Sequence, residues 1–213
     1  LRAGDDGDLG LATDFVTEVV DKVGEPVHLV GHSYGGFCVY ATALSRKVKP
    51  LSIVTFEANP VYCRRGGVPF SWASEMQDMT DRFRASIAAG DPESAGIITD
   101  FWSRPGNFQS MPESFRALCR IKAATNLLDW EAATGFAADF ADFDCLDMLC
   151  TVARGELANK AIIDVSDQIV ANARNAKLHV EPGADHFLIS THPAECAAVI
   201  DRHMQDFAAA NPR

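Results

Sequence analysis

The chain has 213 residues, of which 47% are hydrophobic and 23% charged, a composition typical of a single globular domain. Its formal net charge of −10 argues against nucleic acid and anionic membranes as partners, because both attract basic surfaces. The sequence has no apolar run of about 18 residues, so a transmembrane helix is not expected.

The first predicted elements enclose a glycine-rich motif. Residues 11–23 carry apolar side chains at helical spacing, and a glycine and a proline end that helix. The run VHLV (27–30) predicts a buried parallel strand, and GHSYGG (31–36) follows it directly. Residues 37–47 predict a second helix, so the motif lies between a strand and a helix.

A long segment separates the next strand from the rest of the core. LSIVTFE (51–57) predicts that strand, whereas residues 61–140 contain helical stretches broken by Gly-Gly, Asp-Pro, Arg-Pro-Gly and Met-Pro. This segment also holds all three tryptophans. We therefore predict that residues 1–60 form a core part with the motif, 61–140 a helical cap, and 141–213 a second core part.

Alternating elements return after the cap. Strands are predicted at 148–156 and 177–183, and helices at 161–173 and 193–209. Strands that alternate with helices favour a parallel sheet, so the predicted fold class is α/β.

The motif GHSYGG fits the pattern G-x-S-x-G, in which a sharp turn presents a nucleophilic serine. The bare pattern arises by chance in roughly one chain of this length in fifteen, so its context decides its meaning. A strand before the turn and a helix after it are the context that such a nucleophile requires. Ser33 is therefore the candidate nucleophile, and it needs a histidine as base and an acid that orients the histidine.

Among the six histidines, His186 is the best candidate for the base. It lies in a polar loop after a predicted strand, where parallel sheets carry their functional residues. The adjacent Asp185 is expected to shape this loop by binding local backbone. His192 is the runner-up, although His192-Pro193 fits the start of the last helix better. His203 is expected on the solvated face of that helix.

Three stretches of the sequence, HLVGHSYGG, FEANP and PGADHFLISTHPAE, together resemble the α/β-hydrolase superfamily of serine esterases and their relatives. The order of serine, helical cap and C-terminal histidine is similar too, and the resemblance spans nearly the whole chain from residue 8. The stretch DFWSRPGNFQSMPESFR (100–116) also resembles the cap of small bacterial members with a D-Y-W-x-x-P-G signature. The resemblance implies an α/β-hydrolase fold with Ser33 as nucleophile, His186 as base and the Tyr34 amide as one oxyanion donor.

The acid departs from the common pattern of the superfamily. Most members place an aspartate at G-x-x-D after the strand that precedes the histidine strand, but this chain has Ala158 there. Other members of the superfamily place the acid after the strand that follows the serine turn, and this chain has Glu57 there. Glu156 is the alternative candidate for the acid. A buried glutamate needs a partner such as an imidazolium, although Arg64 or Arg65 of the cap could also pair with Glu57.

The cap offers candidates for a substrate pocket. His32 beside the nucleophile, Trp102 and Phe108 are predicted to line it, and an apolar pocket of this kind suits a small acyl or aromatic ester. No glycine pattern fits a nucleotide site and the six cysteines lack paired metal-ligand spacing, so no cofactor or metal is expected. The cysteines are interpreted as reduced thiols of a cytoplasmic protein.

The stretch before Ser33 is short for the superfamily. Members usually have several strands there and a His-Gly loop that supplies the second oxyanion N–H. This chain has some thirty residues and no His-Gly before the serine. We therefore expect the N-terminal strands of the sheet and the second oxyanion donor to belong to a segment that precedes this chain.

Together these patterns predict a hydrolase that cleaves a small ester-like substrate through an acyl-enzyme on Ser33. Two alternatives stay open. One is a non-catalytic ligand-binding or signalling protein on the same fold, and the other is a cofactor-free lyase or peroxidase-type reaction at the same residues. The expected partner is a small-molecule substrate, and the sequence leaves the oligomeric state open.

Overall fold

The computed structural model describes residues 9–136 and 138–212. Its helices are α1 (Leu9–Val23), α2 (Tyr34–Leu44), α3 (Ala73–Ala88), α4 (Ala95–Trp102), α5 (Asn107–Ser110), α6 (Glu113–Thr134), α7 (Lys160–Asn172), α8 (Leu188–Thr191) and α9 (Pro193–Ala210), with a short 3-10 helix at Phe140–Cys145. Its strands are β1 (His28–His32), β2 (Ser52–Phe56), β3 (Leu149–Gly155) and β4 (Ala176–Glu181). Each strand predicted from the sequence is present, and the observed bounds differ from the predicted ones by at most two residues.

The strands of the described part of the chain form one parallel sheet in the order β1-β2-β3-β4, which confirms the predicted α/β class. The register places His32 opposite Phe56, so Ser33 and Glu57 are the next residues of two neighbouring strands. Because parallel strands end at the same edge of a sheet, both residues leave it side by side.

Alternating side chains of the central strands pack against helices on both faces of the sheet. Ile53, Cys150 and Val152 join α2 and α7 in the larger hydrophobic cluster. Val54 and Phe56 point to the other face and pack with residues of α9. Both faces of β2 are therefore covered. The strand predicted as buried at 27–30 is only partly buried in β1, where Val30 is 49% exposed.

Helices α3 to α6 lie between β2 and β3, in the segment for which a cap is predicted. Their buried side chains, among them Phe83, Phe108 and Trp130, belong to the same hydrophobic cluster as the residues of α2 and α7. Trp72, just before α3, donates from its indole N–H to Asp164 on α7 at 3.0 Å. The insertion is thus packed onto the core.

None of the described helices combines the length and the apolar composition that a bilayer span requires. All six cysteines lie in the described residues as free thiols. Burial raises the pKa of the Cys63 and Cys150 thiols to about 12. These two side chains stay protonated and act as small hydrophobic residues.

A buried polar network joins the sheet to the last helix. The Ser52 hydroxyl lies 2.6 Å from His28 Nδ1 and 2.6 Å from His203 Nε2, while His203 Nδ1 lies 2.8 Å from the Thr151 hydroxyl. His203 is only 2% exposed, so its prediction on a solvated face is wrong. Helical spacing alone does not reveal that α9 turns this side chain toward polar atoms of β2 and β3.

This network predicts a loss of stability in mild acid. Burial, together with the nearby His28, lowers the pKa of His203 from its ordinary value of about 6.5. Between that value and the lower folded pKa, the unfolded chain binds more protons than the folded one. We therefore expect the free energy of unfolding to be highest above about pH 6.5 and to fall as the pH drops below it. His203 contributes a slope of at most about 1.4 kcal/mol per pH unit.

Denaturant titrations at about pH 7.5 and pH 5 measure this effect. His203→Gln should reduce the difference in unfolding free energy between the two pH values, because the titrating group is gone. His192→Gln is the matched control, because His192 precedes α9, is partly exposed and places its ring Nδ1 beside the neighbouring Thr191 hydroxyl. If the unfolding free energy of His203→Gln depended on pH as strongly as that of the wild type, the effect could not be assigned to His203.

Candidate active site

Ser33 stands in a strained turn between β1 and α2. Its backbone has φ 53° and ψ −124°, a conformation that side-chain-bearing residues rarely adopt. The Ser33 amide donates to the Phe56 carbonyl at 2.9 Å, and the Phe37 amide donates to the Ser33 carbonyl at 3.0 Å. A Cβ on Gly31 would lie 2.5 Å from the Gly35 carbonyl oxygen, so the strand can turn this sharply into the helix only with glycine there. The motif therefore has the backbone of a nucleophile elbow.

The structure brings Ser33, His186 and Glu57 into one chain of hydrogen-bonding atoms. His186 Nε2 lies 3.0 Å from Ser33 Oγ, and His186 Nδ1 lies 3.2 Å from Glu57 Oε2. A carboxylate only accepts, so Nδ1 carries the imidazole proton and Nε2 accepts from the serine hydroxyl. Such an arrangement allows a serine to act as nucleophile, a histidine as base and a carboxylate as the acid that orients the histidine.

Glu57 is fully buried at the end of β2, with φ 48°. Its Oε1 accepts the Gly155 amide proton at 2.6 Å, which leaves Oε2 for His186. Among the described residues, Glu57 forms no ion pair with Arg64 or Arg65, the alternative partners suggested by the sequence. Arg65 stacks over the Phe70 ring at 5.5 Å, and the ion pair of Glu57 is with His186.

The other acidic candidates lie away from the imidazole nitrogens. Glu156 is exposed and accepts the Gly183 amide at 2.8 Å, so it holds the turn before the histidine loop. Asp185 accepts the Phe187 amide at 2.9 Å, which confirms the predicted loop-shaping role. Of the acids considered from the sequence, only Glu57 reaches His186.

The close passage of the histidine loop over β3 had no signal in the sequence. An added Cβ at Gly155 would lie 2.1 Å from the Ala184 carbonyl oxygen, far inside van der Waals contact. The Gly155 amide also holds Glu57. One glycine therefore supports the acid and lets the segment that carries His186 approach the strand.

His32 lies beside the base. Its Nε2 is 2.8 Å from the His186 carbonyl oxygen, which only accepts, so His32 carries its proton on Nε2. Burial, followed by the neighbouring His186, lowers the pKa of His32 to about 4. His32 is therefore neutral near pH 7 and places no second positive charge beside His186.

A cavity of about 300 Å³ opens onto the Ser33 side chain. It is lined by His32, Ser33, Tyr34, Asn59, Phe83, Ala95, Ile98, Thr99, Trp102, Cys119, Lys122, Ala123, Asn126, Asp129, Trp130, His186 and Phe187. Two of the predicted pocket residues, His32 and Trp102, are in this wall. Phe108 is not, because its ring is buried in the core of the insertion beneath the Arg120 guanidinium. The placement of Phe108 in the pocket wall is therefore wrong, because its side chain packs in the hydrophobic core.

Two further residues beside Ser33 line the same cavity. Tyr34 is the first residue of α2, and the amide at that position has no acceptor within the helix. The Asn59 side-chain amide donates to Ser33 Oγ at 3.5 Å, and Asn59 was not singled out from the sequence. The second oxyanion donor, expected in a preceding segment, stays a prediction. Within residues 9–136 and 138–212, no three His, Cys, Asp or Glu side chains form a group that could hold a metal ion.

A parallel sheet with a nucleophile elbow after one strand and a histidine loop after the last defines the class of α/β hydrolases. The sequence profile of the alpha/beta hydrolase family matches residues 2–199. The chain belongs to this family, and its fold is the α/β-hydrolase fold.

Solved structures share this fold. A bromoperoxidase from Bacillus anthracis matches with a TM-score of 0.71 and 17% identity, over 94% of this chain and 75% of its own. MenH from S. aureus matches with a TM-score of 0.73 and 13% identity, over 97% and 79%. An esterase from Exiguobacterium antarcticum matches with a TM-score of 0.70 and 14% identity, over 94% and 75%. A search of the curated proteins finds no significant match.

Proposed function

We propose that this protein is a serine hydrolase that cleaves small ester-like substrates through an acyl-enzyme on Ser33. The observation that carries the proposal is the continuous contact from Ser33 Oγ through His186 to Glu57, at 3.0 and 3.2 Å, beside a cavity. Membership in the alpha/beta hydrolase family supports the same reaction class.

In the first half of the reaction, Ser33 Oγ attacks the ester carbonyl carbon while its proton passes to His186 Nε2. Glu57 stabilises the imidazolium that forms and keeps the ring in the tautomer that leaves Nε2 free. The Tyr34 amide at the N-terminus of α2 stabilises the negative charge on the former carbonyl oxygen. Collapse of the tetrahedral intermediate expels the alcohol, which takes the proton from Nε2, and leaves Ser33 acylated.

In the second half, His186 Nε2 removes a proton from water as its oxygen attacks the acyl carbon. Collapse of this second tetrahedral intermediate returns a proton to Ser33 Oγ and releases the carboxylic acid. The neutral His32 favours both steps, because a charged neighbour would oppose the imidazolium on His186.

The cavity supports a small substrate. Its volume of about 300 Å³ lies at the lower end of the range typical of small-molecule pockets. Aromatic and aliphatic side chains such as Phe83, Ile98 and Trp130 form much of the wall, which suits an apolar acyl or aromatic group. Ligand binding without turnover, or oxidative chemistry of the kind named for the bromoperoxidase, would use the same cavity.

A fluorophosphonate probe tests the proposal without knowledge of the substrate. An activated Ser33 Oγ should form a bond to phosphorus with loss of fluoride, giving one adduct by intact mass. Ser33→Ala should give none. Ser190→Ala, which removes an exposed serine of α8 near the histidine loop, should label like the wild type.

The outcomes separate the candidate functions. An adduct that maps to Ser33 and is lost only in Ser33→Ala supports the hydrolase. An unlabelled wild-type chain that binds small esters without consuming them would indicate the ligand-binding protein instead, and the hydrolase proposal would be abandoned.

A further inference from the structure

The segment D-F-W-S-R-P-G (100–106) brings an aromatic ring onto the candidate base. The Trp102 ring lies 5.4 Å from the His186 ring between centroids, with an interplanar angle of 25°, so the two rings are stacked. Trp102 is 4% exposed and comes from the end of α4, in the insertion rather than the sheet. The contact joins the insertion to the base itself.

We propose that Trp102 is a positioning residue for His186, and that residues 100–106 form its support. The proposal rests on the proposed function, because it assigns Trp102 a part in the turnover carried out by Ser33, His186 and Glu57. It gives the tryptophan a role beyond that of a pocket wall.

The rings around His186 restrict its rotation. The His32 ring lies 5.1 Å away at 42°, and the Phe187 ring packs edge-on at 5.7 Å and 86°. His186 contacts Glu57 through Nδ1 and Ser33 through Nε2. A tilt of the ring plane therefore weakens both contacts at once. Trp102 stacks on the ring plane and opposes such a tilt.

The turn after Trp102 is closed by Asp100, the first residue of the segment 100–106. The Asp100 carboxylate accepts the Gly106 amide at 2.8 Å and the Phe108 amide at 2.7 Å. Gly106 has φ 81°, the left-handed conformation that glycine adopts without strain. Asp100 and Gly106 therefore shape the chain on either side of the tryptophan.

Contacts with the core hold the same segment in place. The Asn159 side-chain amide donates to the Phe101 carbonyl at 2.7 Å, next to Trp102 in the chain. Arg104 lies 3.9 Å from Asp185, the neighbour of His186. Trp102 is thus fixed from the start of α7 and from the histidine loop.

Stacking also favours the charged form of the base. When His186 takes the serine proton, the electron-rich face of Trp102 attracts the imidazolium. Titratable groups near the imidazole include Glu57, the neutral His32 and, on its own loop, Asp185 with Arg104 nearby. Lys122 and Asp129 line the same cavity. Loss of the indole face should therefore slow turnover more than it weakens substrate binding.

Trp130 provides a matched control. It is also 4% exposed, lies in the same cavity wall and packs against Trp102 at 5.6 Å, but it has no ring contact with His186. Purified chains are assayed with p-nitrophenyl butyrate and for the rate of fluorophosphonate labelling. Trp102→Leu should lower kcat and the labelling rate by about 10- to 100-fold. Trp102→Phe should recover most of the loss, and Trp130→Leu should act mainly on KM.

A spectroscopic signal separates positioning from a structural role. The His186 Nδ1 proton shared with Glu57 should give a sharp low-field proton resonance in the wild type, in Trp102→Phe and in Trp130→Leu. It should broaden or vanish in Trp102→Leu. Trp102→Met replaces the leucine variant if that chain does not fold.

Equal kcat in Trp102→Leu and Trp130→Leu, or failure of Trp102→Phe to recover activity, would overturn the positioning role while leaving the hydrolase proposal intact. A wild-type chain that neither labels nor turns over p-nitrophenyl butyrate would overturn both. A kcat defect confined to the non-aromatic Trp102 variants, with loss of the low-field signal, supports the proposal.

Discussion

Glu57→Gln should lower kcat by about 10³- to 10⁴-fold while the protein stays folded. The two oxygens of Glu57 accept from two donors, the Gly155 amide and His186 Nδ1–H. A glutamine side chain has one oxygen and one NH₂ group, so one of these donors meets another donor. Either the contact with Gly155 is lost or His186 turns to the tautomer in which Nε2 cannot accept the serine proton.

Ester turnover and fluorophosphonate labelling measure this effect, with circular dichroism as a check of folding. Glu156→Gln is the matched control, because Glu156 is exposed and holds only the Gly183 amide. It should keep activity within about twofold. A severe defect in Glu156→Gln with an active Glu57→Gln would reassign the acid.

Gly155→Ala should impair stability and activity together. The added methyl group would lie 2.1 Å from the Ala184 carbonyl oxygen, which is backbone and cannot rotate away. Either the end of β3 or the histidine loop must move, and we expect a cost of about 1–3 kcal/mol in the free energy of unfolding. A shift of about 1 Å in Glu57 or His186 would lower kcat by about 100-fold.

Denaturant unfolding and labelling rates test this result. Gly135→Ala is the control, because Gly135 has φ −76° and a Cβ there would meet its nearest neighbour at 3.5 Å. It should leave activity unchanged and alter stability by less than about 1 kcal/mol. A fully active Gly155→Ala would show that the loop and the strand separate without disturbing Glu57 and His186.

The order of the helices and strands could be predicted from the sequence, as could Ser33, His186 and Glu57. Each of these features leaves a signal in the sequence. A β-branched run predicts β1, the G-x-S-x-G pattern marks Ser33, and the polar loop after β4 marks His186. Glu57 was favoured because the resemblance implies an acid after that strand, and because a charged residue at the end of a buried strand requires a partner.

Other features depend on contacts between distant parts of the chain. The stacking of Trp102 on His186 joins residues 84 positions apart, and aromatic spacing in the insertion could not separate it from the packing of Phe108. The role of Gly155 depends on how closely the loop at Ala184 crosses β3. His203 was misplaced because the polar atoms that surround it, on Ser52 and Thr151, come from two strands.

The left-handed backbone at Ser33 and Glu57 has a consequence for how this protein can change. Each such residue destabilises the folded state by about 1–3 kcal/mol relative to a relaxed conformation, and glycine would remove most of that strain. At Ser33, selection for thermal robustness alone would therefore favour glycine, at the expense of the proposed nucleophile. At Glu57 the buried contacts with Gly155 and His186 offset the strain. Stabilised variants should be sought among substitutions elsewhere, because at Ser33 heat resistance and the proposed chemistry oppose each other.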